Sequence, residues 1–221
     1  MITHEIRVTG DGSKTIFLPE LNETYHSSNG AVQESRHIFI ENGLDLVEKQ
    51  GAIRILEVGF GTGLNALLSA SWAEMNNQSI HYIGIEAKPL SPELCFQLDY
   101  PRHIGQNVEK IYNALIRCDW EMDNQLTTHF SIQKREVKIQ DFAAVENVDL
   151  IYFDAFGPRV QAEMWEYPIL EKMYQSLNAG GALVTYCAQG QFKRDLKSVG
   201  FILESLPGPP GKREMTRAIR I

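Results

Sequence analysis

A buried strand that breaks into a glycine loop constrains the fold of this chain more than any other feature. Ile53–Val58 has the aliphatic, largely β-branched composition of a buried strand. Gly59, Gly61 and Gly63 follow at every second position, and residues 64–73 have a helix-forming composition. Glycine lets the backbone turn and approach a ligand that a side chain would exclude. Strand, glycine loop and helix in this order predict a nucleotide-type cofactor site at the carboxyl end of a parallel strand.

The composition indicates one soluble domain. The chain has 221 residues, 43% hydrophobic and 22% charged, which suffices for one substantial core but not for two ordinary domains. We predict a single domain over residues 1–221, with an N-terminal extension at 1–50 and a doubly wound core at 51–221. The chain has no membrane-spanning apolar run and no hydrophobic signal region at its start, and its three cysteines lack metal-ligand spacing. We therefore expect a cytoplasmic protein with no membrane contact and no metal ion.

The order of the predicted elements favours an α/β fold. After an N-terminal hairpin at residues 5–8 and 15–18, strand patterns alternate with helical periodicity. The predicted core strands are 53–58, 80–86, 131–137, 148–153, 182–187, 201–206 and 216–221. A helix at 164–177 is expected to end in a turn at 178–181. No helix separates the last two strands, so the final one is expected to be antiparallel. This arrangement predicts the class I (Rossmann-like) methyltransferase fold, a seven-stranded, mostly parallel sheet with an antiparallel C-terminal strand, plus the hairpin.

The residues around the glycine loop favour S-adenosylmethionine over a dinucleotide as the cofactor. A dinucleotide loop needs its last glycine where Leu64 and Asn65 stand. Glu57, just before the loop, would repel a diphosphate and suit a cationic sulfonium or amino group. Glu86 ends its strand at the position from which an acidic side chain accepts hydrogen bonds from a ribose diol. The expected cofactor contacts in this region are Glu57, Gly59, Gly61, Gly63, Asn65 and Glu86.

Further cofactor contacts are expected from two other parts of the chain. Asp141 and Phe142 follow the third core strand and suit an adenine, the acid accepting from the exocyclic amine and the ring offering its face. The alternative is a helix N-cap at Asp141 with Phe142 packed in the core. The polar loop at residues 25–31 either lies over the pocket or simply caps the sheet. Glu34 and Asn29 in this region are candidates for the methionine end of the cofactor.

Asp154 is the candidate catalytic residue. It ends the buried strand Val148–Phe153, and residues 157–158 (Gly-Pro) stop that strand. The carboxyl ends of parallel strands meet at one edge, which places the Asp154 carboxylate in the same crevice as the glycine loop. There it would hold an amine substrate and accept its proton, directly or through water. An ionised Asp154 also favours the charged amine, so the side chain acts either as a base or by positioning the amine.

The charge distribution leaves room for a local nucleic-acid surface. The formal net charge is −7, and residues 181–221 carry +4 of charge while residues 1–180 carry −11. A basic face on an acidic body could hold a folded RNA, and the alternative is a solvated helix face with a charged edge strand. Lys212 and Arg213, on a Pro/Gly-rich loop at the crevice edge, are the candidates for phosphate contacts.

Five groups of residues carry a resemblance to a known family. They are residues 9–13 with 25–27 and 29–31, residues 57–65 (EVGFGTGLN), 154–158 (DAFGP), 163–165 (EMW) and 211–215 (GKREM). In this combination, which covers nearly the whole chain, the sequence resembles the methyltransferase part of MnmC, a bacterial family that modifies the tRNA wobble uridine. It is equally similar to the standalone relatives called MnmD.

The resemblance implies a reaction and a partner. It implies methyl transfer from S-adenosylmethionine to the amine of 5-aminomethyl-2-thiouridine at tRNA position 34, giving the methylaminomethyl product. The tRNA anticodon region is then the expected partner, and other wobble-uridine modification enzymes are candidate partners. Bifunctional members carry a second, FAD-dependent oxidase domain, which 221 residues leave no room for. Phe156 and Trp165 are candidates to stack on the exposed uridine, with core packing as the alternative for Trp165.

Two other functions remain open on the residues alone. An aminopropyltransferase of the spermidine-synthase kind shares the fold and also serves an amine, but the loop from Gly59 to Gly63 lacks the acidic residue that such a resemblance requires. A non-catalytic RNA-binding descendant of the fold is the second alternative. We would expect it to have lost Glu86 or Asp154, and both are present.

Overall fold

A three-stranded antiparallel sheet opens the structure, a computed structural model that describes residues 3–48, 51–105 and 108–221. Its strands are β1 (Glu5–Val8), β2 (Lys14–Leu18) and β3 (Glu23–Thr24). The Asp11 carboxylate, in the turn between β1 and β2, accepts hydrogen bonds from the backbone N–H of Ser13 at 3.0 Å and of Gln33 at 2.9 Å. The predicted hairpin is confirmed, and Asp11 ties it to the helix that follows.

An eight-stranded sheet forms the centre of the molecule. Its order is β10-β11-β9-β8-β4-β5-β7-β6, and its strands are β4 (Ile53–Val58), β5 (Ile80–Glu86), β6 (Asp123–Gln125), β7 (Phe130–Glu136), β8 (Val148–Phe153), β9 (Leu177–Thr185), β10 (Ile202–Pro207) and β11 (Glu214–Ile219). Strands β7, β5, β4, β8 and β9 pair in parallel, and β11 lies antiparallel between β9 and β10. The predicted class I fold is confirmed, with the short β6 as an eighth strand.

Helices cover both faces of this sheet. They are α1 (Ala31–Ser35), α2 (Leu64–Asn76), α3 (Pro92–Phe96), α4 (Pro101–Ile104), α5 (Val108–Arg117), α6 (Tyr167–Ser176) and α7 (Gly190–Val199). Side chains alternate along a strand, so Ile53 and Ile55 of β4 join a core cluster with α2 and α5, while Leu56 and Val58 join the cluster of α6 and α7. Burial on both faces explains why β4 reads as a nearly continuous apolar run.

The N-terminal segment packs against the C-terminal loop at the carboxyl edge of the sheet. Helix α1 continues into a π-helical turn, Arg36–Glu41, and a 3-10 turn, Leu44–Leu46. The amide of Asn29 donates to the Pro210 carbonyl at 3.3 Å, and a ring nitrogen of His37 lies 2.9 Å from the Pro207 carbonyl oxygen. Two segments far apart in the sequence therefore meet above the ends of the parallel strands.

Two local predictions were wrong. Residues 178–181 do not end a helix: β9 begins at Leu177, directly after α6, and these residues bulge out between two registered pairs with β8. Asp141 does not cap a helix, because it lies in a turn that runs into irregular chain before β8. The division into residues 1–50 and 51–221 stays a prediction, and residues 49 and 50 lie outside the described ranges.

Across the described ranges, no helix is both long enough and apolar enough to cross a membrane.

Candidate active site

A cavity of about 1110 Å³ opens at the carboxyl edge of the parallel strands. Its walls come from the N-terminal segment, the glycine loop and the loops that follow β5, β7, β8 and β9. The structure brings these predicted residues together in its lining: Glu34, Gly59, Gly61, Asn65, Glu86, Asp141, Asp154, Phe156 and Lys212. Glu57, Gly63, Phe142, Trp165 and Arg213 are not among the lining residues.

The glycine loop is shaped by close protein neighbours. A Cβ at Gly59 would lie 2.5 Å from the Asp154 carbonyl oxygen, and its φ of +93° disfavours any side chain. A Cβ at Gly61 would come within 3.2 Å of the Tyr25 ring. Gly63 is the N-cap of α2. The first two glycines therefore let the end of β8 and the N-terminal segment approach the loop, and Gly63 starts the helix.

Glu86 and Asp141, the residues predicted to contact the adenosine of the cofactor, both line the cavity. Glu86, at the end of β5, accepts from the backbone N–H of Gly61 at 3.0 Å and of Lys88 at 2.9 Å. Burial raises the pKa of the Glu86 carboxyl. Asp141 is exposed in the turn after β7. Both carboxyl groups face the cavity, as the adenosine contacts of the expected cofactor require.

Asp154 follows β8 directly, next to the glycine loop. Its backbone N–H donates to the Val58 carbonyl at 2.9 Å, which extends the pairing of β8 with β4. Its Oδ2 accepts from the Asn65 amide at 2.8 Å. Burial raises the pKa of Asp154 to about 7; the Asn65 hydrogen bond and the charge of Lys212 oppose the rise, whereas the charge of Glu34 adds to it. A carboxyl group with this pKa can both accept and release a proton near neutral pH.

Lys212 lines the cavity and is held there by an ion pair, and its phosphate contact stays a prediction. Its ammonium forms a short ion pair with Glu34 Oε1 and lies 4.0 Å from the centre of the Tyr186 ring. The other Glu34 oxygen, Oε2, is buried and has no hydrogen-bond partner in the described part of the chain. Arg213, in contrast, is 95% exposed. Of this pair, Arg213 is the residue whose side chain is almost fully accessible to a ligand outside the cavity.

The basic tail does not form one continuous cationic face. Lys193 pairs with Glu214 at 2.9 Å, and Arg217 pairs with Glu204 at 3.2 Å. Arg220 donates to backbone carbonyls near the start of β9. Much of the positive charge after residue 180 is therefore neutralised within the fold or satisfied by the backbone.

Two of the three predicted aromatic contacts are core residues. Trp165 is 5% exposed and lies between the rings of Phe153 and Phe192, each centred 5.0 Å away. Its indole N–H donates to the Phe156 carbonyl at 2.9 Å, so it supports a cavity residue from behind. Phe142 is buried in the same core cluster, where it cannot stack on an adenine from the cavity. The core alternatives that the sequence left open are the correct ones.

Phe156 does line the cavity, and Tyr25 joins it. Their rings meet edge to face with centres 5.0 Å apart. Tyr25 comes from the polar loop at 25–31, which therefore lies over the pocket as one of the two alternatives predicted. His26 beside it is held through a ring nitrogen 2.8 Å from Thr62 Oγ1 of the glycine loop, and burial lowers its pKa to about 4.

Glu57 does not face the cofactor cavity, so its predicted contact with a cationic cofactor is wrong. It is fully buried on the face of β4 that α2 covers, and its Oε1 accepts from the Asn65 amide at 2.9 Å. Burial raises the pKa of the Glu57 carboxyl well above its usual range, because a buried site disfavours the charged form.

Sequence reasoning missed Tyr25 and Tyr186 as parts of the site. Tyr186 follows β9, and its hydroxyl donates to the Ala155 carbonyl at 2.8 Å. Its position one residue beyond a parallel strand was the available signal, because such positions line the carboxyl edge. Tyr25 lies within a motif that the resemblance already used, but a tyrosine in a polar loop carries no signal of its own.

The arrangement fits S-adenosylmethionine. The cavity is large enough for a nucleoside with an amino-acid arm. Glu86 and Asp141 offer acceptors for hydroxyl and amine groups at one side. Glu34 Oε2, which is buried and has no hydrogen-bond partner in the described ranges, offers an acceptor to an ammonium group at the other. These donor and acceptor types match a ribose, an adenine and an α-ammonium.

Comparison with known proteins agrees with this geometry. A bifunctional tRNA 5-methylaminomethyl-2-thiouridine biosynthesis protein, MnmC, of Cupriavidus metallidurans is 29% identical over 96% of this chain and 33% of its own length. The chain thus spans about a third of that relative. Among solved structures, MnmC2 of Aquifex aeolicus superposes with a TM-score of 0.81, at 24% identity over 99% of this chain and 71% of that one. Spermidine synthase of Thermotoga maritima gives a TM-score of 0.52 at 13% identity, over 99% and 72% of the two chains.

A family model decides the assignment. The model described as S-adenosyl-L-methionine-dependent methyltransferase matches residues 103–221, more than half of the chain. That segment contains Asp141, Asp154 and Lys212 of the cavity. The chain belongs to this family of S-adenosyl-L-methionine-dependent methyltransferases, and S-adenosylmethionine is its cofactor.

Proposed function

We propose that this protein methylates the amine of 5-aminomethyl-2-thiouridine at wobble position 34 of tRNA, giving 5-methylaminomethyl-2-thiouridine. The relative from Cupriavidus metallidurans is named for the biosynthesis of that nucleoside. The observation that carries the proposal is Asp154, a carboxyl group with a pKa of about 7 that opens into the cofactor cavity. An amine acceptor must lose one proton during methylation, and Asp154 is suited to receive it.

The chemistry follows from the groups around Asp154. When bound, S-adenosylmethionine supplies a methyl group on a positively charged sulfur. Transfer of that methyl group to a neutral substrate amine would leave the sulfur uncharged and the amine as a secondary ammonium. Asp154 accepts a hydrogen bond from the amine and takes the proton that must leave, before or after the attack.

The charges around Asp154 affect its proton in opposite directions. The Lys212 ammonium lowers the pKa of Asp154, whereas its ion-pair partner Glu34 raises that pKa more. An ionised Asp154 favours the protonated substrate amine, which has no lone pair. Asp154 must therefore take the proton from the amine before the amine can react.

The proposed RNA contacts lie at the mouth of the cavity. Phe156 and Tyr25, which line the cavity with their rings in contact, are proposed to hold an exposed uridine base, because single-stranded bases are commonly held against aromatic rings. Arg213 is proposed to meet the phosphate backbone of the anticodon region. Lys88, Lys138 and Arg159 are also exposed cations in the cavity lining, and the ion pairs of the described ranges include none of them. They are the other proposed phosphate contacts.

Labelled S-adenosylmethionine and two tRNA preparations test the proposal. One tRNA carries 5-aminomethyl-2-thiouridine at position 34, and the other carries the unmodified uridine. We expect label in the first tRNA only, and we expect Asp154→Asn to abolish transfer while calorimetry still detects cofactor binding. Asp123→Asn, on the exposed edge strand β6, is the matched control and should transfer normally. Normal turnover by Asp154→Asn would refute the role of Asp154. Aminopropyl transfer from decarboxylated cofactor would support the spermidine-synthase alternative instead.

A further inference from the structure

One amide group joins two carboxyl groups beneath the cavity. Asn65 lies in the first turn of α2 and is 2% exposed. Its Nδ2 donates to Glu57 Oε1 at 2.9 Å and to Asp154 Oδ2 at 2.8 Å. A side-chain amide has two N–H hydrogens, so these two bonds use its whole donor capacity. The orientation of the Asn65 amide is thereby fixed from both sides.

Glu57 is a buried carboxyl group in an apolar part of β4, and the Tyr82 side chain beside it also affects its pKa. Its neighbours on the same face of β4, Ile53 and Ile55, are apolar and belong to the core cluster. A carboxyl group at this position costs desolvation that an apolar residue would avoid. Glu57 Oε2 has no hydrogen-bond partner within the described ranges, which leaves Asn65 as the hydrogen-bonded partner of its other oxygen.

Asp154 is left with one oxygen for a ligand. Its Oδ2 is occupied by Asn65, and no hydrogen bond to Oδ1 occurs in the described part of the chain. Asp154 lines the cavity, so Oδ1 is the oxygen available to an amine there. Without the Asn65 bond, rotation about the Cβ–Cγ axis would exchange the two oxygens and the carboxyl plane would not be set.

We propose that Glu57 and Asn65 are positioning residues for Asp154: Glu57 holds the Asn65 amide, and the amide holds the Asp154 carboxyl plane so that Oδ1 meets the acceptor amine. The catalytic consequence of this inference rests on the proposed function. The structural part of the inference is the pair of hydrogen bonds by which the Asn65 amide connects Glu57 to Asp154, called the bridge below. It is independent of the substrate.

The bridge also affects protonation. A hydrogen bond donated to a carboxylate favours the ionised form, and the Asn65 bond lowers the pKa of Asp154 against the effect of burial. Loss of the amide should therefore raise the pKa of Asp154 above about 7 and shift the acid limb of the rate profile to higher pH. A merely structural role for Glu57 would not move that limb.

Three variants separate positioning from packing. Glu57→Gln keeps an acceptor oxygen for Asn65, Glu57→Met removes it, and Asn65→Leu removes the amide. Ser69→Ala is the matched control, because Ser69 is a buried polar residue one turn further along α2 whose hydroxyl bonds the Asn65 backbone carbonyl and lies 3.2 Å from the Tyr152 hydroxyl, not either carboxyl group. We expect Glu57→Met and Asn65→Leu to lower kcat by about 100-fold, and we expect Glu57→Met, at a residue outside the cavity lining, to change cofactor affinity little. We expect Glu57→Gln and Ser69→Ala to behave like the wild type.

A pH titration of the wild-type protein, followed by NMR, tests whether the bridge exists and needs no substitution and no substrate. With ¹⁵N-labelled protein, both side-chain amide hydrogens of Asn65 should shift as Asp154 titrates, with a midpoint near pH 7. Asn65 resonances that do not titrate would overturn the inference, as would a folded Glu57→Met variant with wild-type kcat. If Glu57→Met does not fold, the titration alone decides. Wild-type protein that methylates no tRNA would refute the proposed function, and the titration would still test the bridge.

Discussion

Replacing Asp154 by asparagine should make the protein more stable at alkaline pH. Burial raises the pKa of Asp154 from its usual 3.8 to about 7, so the folded protein binds this proton more tightly than the unfolded chain does. Wild-type stability therefore falls as the pH rises through this interval. Asparagine stays neutral, and its amide oxygen can still accept the hydrogen bond from Asn65. The stability of the variant therefore does not fall in this pH interval as that of the wild type does.

The size of the effect follows from the pKa. One pKa unit corresponds to about 1.4 kcal/mol, so the ionised carboxylate destabilises the folded protein by up to about 4 kcal/mol at pH 8. Asp154 is only partly shielded from solvent in the open cavity, and cavity water reduces the cost. We therefore expect the free energy of unfolding of Asp154→Asn to exceed that of the wild type by about 2 to 4 kcal/mol at pH 8. This difference should fall below about 1.7 kcal/mol at pH 5 and to nearly zero at pH 3.5.

Chemical denaturation of the cofactor-free protein at several pH values measures this difference. Asp123→Asn is the control, because this exposed side chain on β6 should change stability little at any pH. A difference between Asp154→Asn and wild type that is independent of pH would refute the reasoning. So would a variant that is less stable than the wild type at pH 8, since the carboxylate would then be stabilising in its ionised form.

Three further outcomes follow from single contacts. Arg213→Ala should weaken tRNA binding and reduce the slope of log affinity against log salt concentration by about 1 in a filter-binding assay, and an unchanged slope would exclude a phosphate contact. Lys134→Met should lower the free energy of unfolding by about 2 kcal/mol, because the buried ammonium donates to two carbonyls in the last turn of α5 and the substitution removes both hydrogen bonds. Gly59→Ala should lower the free energy of unfolding by at least about 2 kcal/mol in chemical denaturation, because its Cβ would meet the Asp154 carbonyl. A variant as stable as the wild type would show that the loop can move to accommodate the Cβ.

The sheet and the glycine loop were predictable because their signals are local. Core strands such as Ile53–Val58 are short apolar runs ended by glycine or a polar residue, and Gly59 to Gly63 lie between a strand and a helix. The carboxyl edge of a parallel sheet then brings Glu86 and Asp154 into one crevice, whatever the loops do. The position of these two residues in the site was therefore predictable from the sheet topology alone.

The errors concern side chains whose environment is set by distant parts of the chain. Lys212 looks like a free cation in a loop, but it pairs with Glu34, which lies 178 residues earlier. Glu57 could not be assigned to the cavity or the core by periodicity, because both faces of β4 are buried. Trp165 and Phe142 are aromatic residues next to functional ones, and only the packing of α6 and α7 shows that they belong to the core.

Nucleoside analysis of the methylated tRNA tests the central claim most directly. The wild-type protein is incubated with S-adenosylmethionine and tRNA that carries 5-aminomethyl-2-thiouridine, and the digested nucleosides are separated and identified by mass spectrometry. The account predicts that this nucleoside is replaced by 5-methylaminomethyl-2-thiouridine, with the new methyl group on the side-chain nitrogen. An unchanged wobble nucleoside, or a methyl group on a ring atom, the ribose or another position of the tRNA, would contradict it.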